Sequence, residues 1–154
     1  MKYTAALIAV KDMETSKKFY QELLEQEVTM DLGWNVCLSG GLALQLNFAQ
    51  LVGFDQELVV QKPHNMELVF EVEDFDAFLI KLDAYEGVKY LHQPKKYEWQ
   101  QRVVRIFDPD DHIIEVGEAM ETIAKRYLSE GYSIEETAKI IMHPVQFIEY
   151  CANK

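Results

Sequence analysis

Two glutamates and an arginine carry most of the chemistry this chain can offer. Residues 66–72 alternate, with Met66, Leu68, Phe70 and Val72 on one parity and Glu67, Val69 and Glu71 on the other. Successive side chains of a strand point to opposite faces, so the apolar set covers helices and Glu67 turns inward. The same rule sets Gln45 against Leu42, Leu44 and Leu46, and sets Glu115 apart from Ile114 and Val116. Two inward carboxylates repel each other, which favours protonating one or pairing it with a cation. Arg105 is the obvious partner, since it shares strand parity with Val103 and Phe107. Its planar guanidinium can neutralise a carboxylate and can also anchor an acidic ligand in bidentate fashion.

The elements that must hold these residues repeat. Val10-Lys11-Asp12 ends one strand-like stretch and Val72-Glu73-Asp74 ends another, and each leads into a helical pattern. A strand-to-helix unit met twice in a short chain suggests two copies of one module sharing a sheet, with a ligand site where the copies meet. The first copy reads as a strand over 3–10, then a helix capped by Asp12. Met13, Ser16, Phe19, Tyr20, Leu23 and Leu24 form the helix stripe. Strands follow over 28–32, 34–39 and 42–48, with turns at Gly33 and Gly40-Gly41. Residues 49–65 read as loop, with a brief extended stretch over 57–61. The second copy has a strand over 66–72 and a helix opening at Asp74, with Phe75, Phe78, Leu79 and Leu82 as its stripe. Its further strands are predicted near 88–91, 102–107 and 112–116.

On these motifs, together with Phe19-Tyr20 and the run Phe107-Asp108-Pro109-Asp110-Asp111-His112-Ile113-Ile114-Glu115-Val116, the chain resembles the vicinal-oxygen-chelate superfamily of glyoxalases, bleomycin-resistance proteins and extradiol dioxygenases. The resemblance covers roughly residues 3–118, and the last motif is its most specific part. Asp111 stands where the family usually has Gly, and Asp tolerates a left-handed backbone better than most residues. The fold implied is α+β: two βαβββ modules, about 1–48 and 66–118, forming an incomplete barrel around a cavity. A C-terminal helical extension over 119–154 is then expected to pack on that domain or on a second subunit.

The resemblance also implies a ligand set. Ala5 and Glu67 stand at equal spacing before Asp12 and Asp74, and Gln45 and Glu115 occupy the fourth strand of each module. Metal-dependent members use His, Gln or Glu at such places. Here a methyl group replaces one ligand and no His stands at any of the four. Zn and Ni favour nitrogen, so affinity for them should fall. Gln45, Glu67 and Glu115 could still hold Mg, Mn or Ca through oxygen. Without a metal, the expected function is binding of a small organic ligand and no cofactor is needed. The alternative is a glyoxalase-kind lyase or isomerase, in which a metal polarises a carbonyl and Glu67 or Glu115 serves as ligand or base.

Other features have plainer readings. Tyr3, Trp34, Trp99 and Phe107 could stack on a flat ligand, lining the pocket with Gln45, Val103 and Arg105, though aromatics in a small barrel are more often core. Residues 93–98 could gate the cavity and are more simply an exposed connection. His64, His92, His112 and His143 all fall in predicted turns or loops. Cys37 and Cys151 match no metal or redox spacing and suggest free thiols in a reducing cytosol. No leader is expected, and the longest apolar run is too short to span a membrane.

At 154 residues the chain is expected to form one domain burying roughly 70% of its unfolded surface. A net charge of −11 disfavours nucleic acid and anionic membranes as partners. That charge also counts against reading the three C-terminal helices as a DNA-binding helix-turn-helix. Ser133-Ile134-Glu135-Glu136 is a capping box, Pro144 suits a helix start, and Ile134, Ala138, Ile141 and Met142 are the expected buried side. Their apolar stripes need a cover, either on the barrel's open side or in a dimer contact, and a homodimer is the expected assembly.

Overall fold

A computed structural model describes residues 1–154. The chain gathers into two compact units. One holds Met1–Glu67, Gly87–Lys89 and Phe107–Ile113, and the other holds Leu68–Glu86, Tyr90–Ile106 and Ile114–Lys154.

In the first unit, β1 (Ala6–Ala9) leads to α1 (Met13–Lys18), whose last turns widen into a π-helical stretch over Phe19–Leu23. Asp12 caps α1, its Oδ1 accepting the Thr15 N–H at 2.7 Å. The predicted stripe is buried throughout, Tyr20 and Leu23 almost completely. Then come β2 (Val28–Asp31), β3 (Asn35–Leu38) and β4 (Leu42–Gln45), giving a sheet of order β1-β4-β3-β2. β1 runs parallel to β4, from Ala6 opposite Leu42 to Ala9 opposite Gln45, while the other two pairings are antiparallel. Gly41 has φ +80, a backbone that side chains rarely adopt, and a Cβ there would press on the Thr4 carbonyl at 3.3 Å.

The second module repeats this plan. β5 (Glu67–Val72), α3 (Phe75–Ala84), β6 (Lys89–Lys96), β7 (Arg102–Phe107) and β8 (Ile113–Glu118) give the order β5-β8-β7-β6. Asp74 repeats the part of Asp12, accepting the Ala77 N–H at 2.9 Å. Phe75 and Leu82 of α3 and Val104, Ile106, Ile114 and Val116 of the sheet form the buried core. The two copies do not share a sheet, as the repeat suggested. In each, the fourth strand pairs back on the first and completes a four-stranded sheet that stays open, so no barrel closes.

Three local expectations are corrected. The loop after β4 contains α2 (Phe48–Val52) and a 3₁₀ turn over Gln56–Leu58 in place of an extended stretch. Asn47 at φ 52 breaks the strand ahead of α2, and Gly53 at φ 79 stops that helix. Residues 93–96 are strand, not connection, because β6 is an edge strand and tolerates Pro94 with no N–H to give. Met142 is 64% exposed at a left-handed φ of 57, just beyond the end of a helix, and takes no part in the buried side.

The extension forms α4 (Met120–Ser129), α5 (Ile134–Ile140) and α6 (Val145–Ala152), all in the second unit. The capping box at α5 is formed, and Pro144 is the residue before α6. The three helices cover one another: Ile123, Ile141 and Ile148 are completely buried in one cluster, with Trp99 and Tyr127 packed against it. No helix is long and apolar enough to cross a membrane.

Candidate ligand site on the second sheet and a buried turn in the first unit

Strand order explains the most concentrated chemistry in the second unit. β7 lies between β8 and β6, so Arg105 on β7 meets a carboxylate on one side and an imidazole on the other. Its guanidinium forms an ion pair with Glu115 of β8. Toward β6, Nη1 donates to Nε2 of His92 at 3.2 Å and to the Tyr97 hydroxyl. A guanidinium only donates, so Nε2 of His92 must accept, and the ring proton sits on Nδ1. That assignment is consistent with Nδ1 donating to the Gln93 carbonyl at 2.8 Å. His92 therefore lies on a strand, not in the turn expected of it. A strand ending near residue 91 leaves His92 and Tyr97 outside the sheet, whereas β6 runs on to Lys96 and brings both within reach of Arg105.

An aromatic pair continues the group. Tyr97 and Trp99 stack with centroids 4.4 Å apart and planes 17° from parallel. Arg105 lies 5.7 Å from the Tyr97 ring and Lys95 4.7 Å from it. Trp99 donates its indole N–H to Gln101 Oε1 at 2.8 Å, and Gln101 donates in turn to the Glu118 carbonyl at 3.0 Å. The stack is therefore held at one end by a guanidinium and at the other by a buried amide.

The remaining predicted residues are placed as follows. Val103 is completely buried in the sheet, and Phe107 is half-buried with its ring 5.4 Å from His64. Tyr3 is 77% exposed in the coil before β1 and Trp34 is 51% exposed in the β2–β3 turn, so neither is core. Glu67 is exposed at the start of β5, and Ala5 offers no donor. Gln45 is buried and fully engaged. Its amide donates to the carbonyls of Leu46 at 2.6 Å and Trp34 at 3.3 Å, and its oxygen accepts from Asn35 at 2.9 Å. Gln45 also lines a cavity of about 320 Å3 with Trp34, Asn47 and Leu51.

In the first unit the Asp-Pro-Asp run folds into a buried polar knot. Asp108 Oδ1 accepts the backbone N–H groups of Asp110 at 2.9 Å and His112 at 2.8 Å. Its Oδ2 accepts from the Tyr20 hydroxyl and from His112 Nδ1, each at 2.8 Å. Asp110 accepts the Lys11 N–H through both oxygens at 3.2 Å. Asp111 takes φ +67, the left-handed turn its side chain can bear. Burial, and the Asp108 carboxylate beside it, push the Tyr20 phenol well above its ordinary 10.0. Burial likewise pushes the Asp110 carboxyl up. The Asp-Pro-Asp run is therefore a buried hydrogen-bonded anchor as much as a turn.

Residues 3–121 match the model of the glyoxalase-like domain. A solved protein of unknown function from Agrobacterium tumefaciens str. C58 is 30% identical, with 78% of this chain and 95% of that one aligned at a TM-score of 0.67. A glyoxalase/bleomycin resistance protein/dioxygenase family enzyme from Burkholderia phytofirmans PsJN shares the fold at 13% identity, over 78% of this chain and 100% of that one, at a TM-score of 0.67. A lactoylglutathione lyase from Agrobacterium tumefaciens does so at 21% identity, over 75% and 92%, at a TM-score of 0.53. No curated protein matches the chain. With that match spanning most of its length, the chain belongs to the glyoxalase-like domain family of the vicinal-oxygen-chelate superfamily.

Proposed function

We propose that the protein binds a small organic ligand in the cytosol, in the manner of bleomycin-resistance proteins and without a transition metal. The observation that carries this reading is the Arg105–Glu115 ion pair, flanked by His92 and the Tyr97–Trp99 stack. A guanidinium beside an aromatic face suits a flat, acidic ligand: its carboxylate would replace Glu115 on the Arg105 fork while the rings take the body.

The donor set speaks against a family-type transition metal. Ala5 cannot ligate, the Gln45 amide is spent on three hydrogen bonds, and Glu115 is engaged by Arg105. A base role for Glu115 would need Arg105 to release it. Free Cys37 and Cys151 accord with a reducing compartment.

The test is a binding panel on the purified chain, with benzoate as the acidic probe and benzyl alcohol as its neutral control, alongside a mass-spectrometric search for a co-purified molecule. Benzoate should bind and quench Trp99 fluorescence, and Arg105→Gln should weaken it about tenfold or more. Equal binding of benzoate to Arg105→Gln and to the parent would overturn the reading.

A further inference from the structure

A cavity of about 300 Å3 opens in the first unit, lined among others by Lys11, Phe48, Val59, Pro63, Asp110 and His112. That volume is at the small end of ligand cavities. None of its lining residues belongs to the Arg105 group. Its walls come from the end of β1, the α2 region and the buried Asp-Pro-Asp turn.

Two buried polar side chains in this wall have unused capacity, and both can accept. His112 is 7% exposed. Its Nδ1 faces Asp108 Oδ2 at 2.8 Å, an oxygen that also takes the Tyr20 hydroxyl, so Nδ1 carries the proton and donates. In the neutral imidazole Nε2 is the acceptor nitrogen, and it has no protein partner. Asp110, 8% exposed, spends one lone pair of each oxygen on the Lys11 N–H and keeps the others. The nearest ammonium, Lys11 Nζ, stands 3.8 Å away on a side chain 67% exposed, too loose to satisfy the carboxylate. Burial raises the Asp110 carboxyl above its ordinary value, which marks an anion short of compensation. Phe48, Val59 and Pro63 supply apolar surface beside the two acceptors.

We infer that this cavity is a second small-molecule site and that it takes a small organic ammonium, a protonated amine on a short apolar body. The ammonium donates to the Asp110 carboxylate and to His112 Nε2, and the apolar body lies against Val59 and Phe48. Asp108 is a positioning residue here, because it fixes the His112 tautomer and touches no ligand.

The experiment is a titration of the full-length chain with benzylamine, with benzoate and benzyl alcohol as charge controls, followed by nuclear magnetic resonance at the Lys11 amide and the His112 imidazole nitrogens. Benzylamine should move both signals saturably, and the two controls should leave them in place. Asp110→Asn, which keeps an acceptor for the Lys11 N–H, should weaken benzylamine about tenfold. Lys11→Ala, which removes a competing cation from an exposed side chain, should tighten it, and this arm decides the matter if Asp110→Asn fails to fold. Absence of benzylamine binding, equal shifts with benzoate, or shifts confined to Tyr97 and Trp99 would overturn the inference. Weaker benzylamine binding in Lys11→Ala would also overturn it.

Discussion

Arg105 and Glu115 face each other across adjacent strands β7 and β8 as an ion pair, with side chains 19% and 12% exposed. This exposure lies between a surface pair, worth about 0–1 kcal/mol, and a buried one, whose breaking costs about 3–5 kcal/mol. Arg105→Ala should therefore destabilise the protein by about 2 kcal/mol. Adding Glu115→Gln should recover part of the loss, because the carboxylate is no longer left without its cation. Denaturant unfolding of the parent, both single variants and the double variant checks this. Additive losses would mean that the two groups do not interact.

Tyr20 sets a limit at alkaline pH. In the unfolded chain its phenol ionises near the ordinary 10.0, while in the folded chain it stays protonated to higher pH. The unfolded state then binds fewer protons, so stability falls as pH rises above that value. Tyr20→Phe should cost about 1–3 kcal/mol at neutral pH, since Asp108 loses a buried donor. The gap between parent and variant should narrow as pH is raised past the phenol range. A gap that stays constant in urea unfolding at every pH would contradict the raised phenol.

The C-terminal helices should be indispensable to the second unit. Ile148 is completely buried in their shared cluster, and Ile148→Ala should cost about 2–5 kcal/mol. A truncation after Glu118 should lower the melting temperature and promote aggregation, because it removes the helical cluster against which Trp99 packs. It also removes Arg126, whose Nη1 lies 2.7 Å from the buried Glu118 carboxylate. Unchanged melting and oligomeric state would make the extension a loose appendage.

Gly117 has a different constraint from the turn glycines. A Cβ there would meet Gln101 Nε2 at 2.6 Å, and Gln101 is 7% exposed and hydrogen-bonded at both ends of its amide. Gly117→Ala should cost about 1–3 kcal/mol and shift Trp99 fluorescence, since the indole loses a fixed partner. Lost stability with an unaltered Trp99 spectrum would place the strain elsewhere.

Elemental analysis of protein purified without chelators should find no stoichiometric Zn, Ni or Fe. One tightly bound transition metal per chain would favour the enzyme of the glyoxalase kind.

The sequence by itself determined the module and its repetition. Asp12 and Asp74 cap their helices because Asp accepts a backbone N–H three residues on, a local rule that needs no tertiary context. The period-2 alternation over 66–72 reappears as alternating burial along β5, and the capping box and the left-handed turn at Asp111 were equally local. Tertiary structure decided everything that depends on which strand lies beside which. Because β7 sits between β8 and β6, Arg105 meets His92 and Tyr97 as well as Glu115, and no spacing in the chain encodes that meeting. Edge position let β6 run through Pro94. Parity put Gln45 inward, but only the carbonyls of Trp34 and Leu46 and the amide of Asn35 show that its side chain is already spent. Parity fixes the face a side chain takes, whereas its partners come from neighbours distant in sequence that only the assembled sheet supplies.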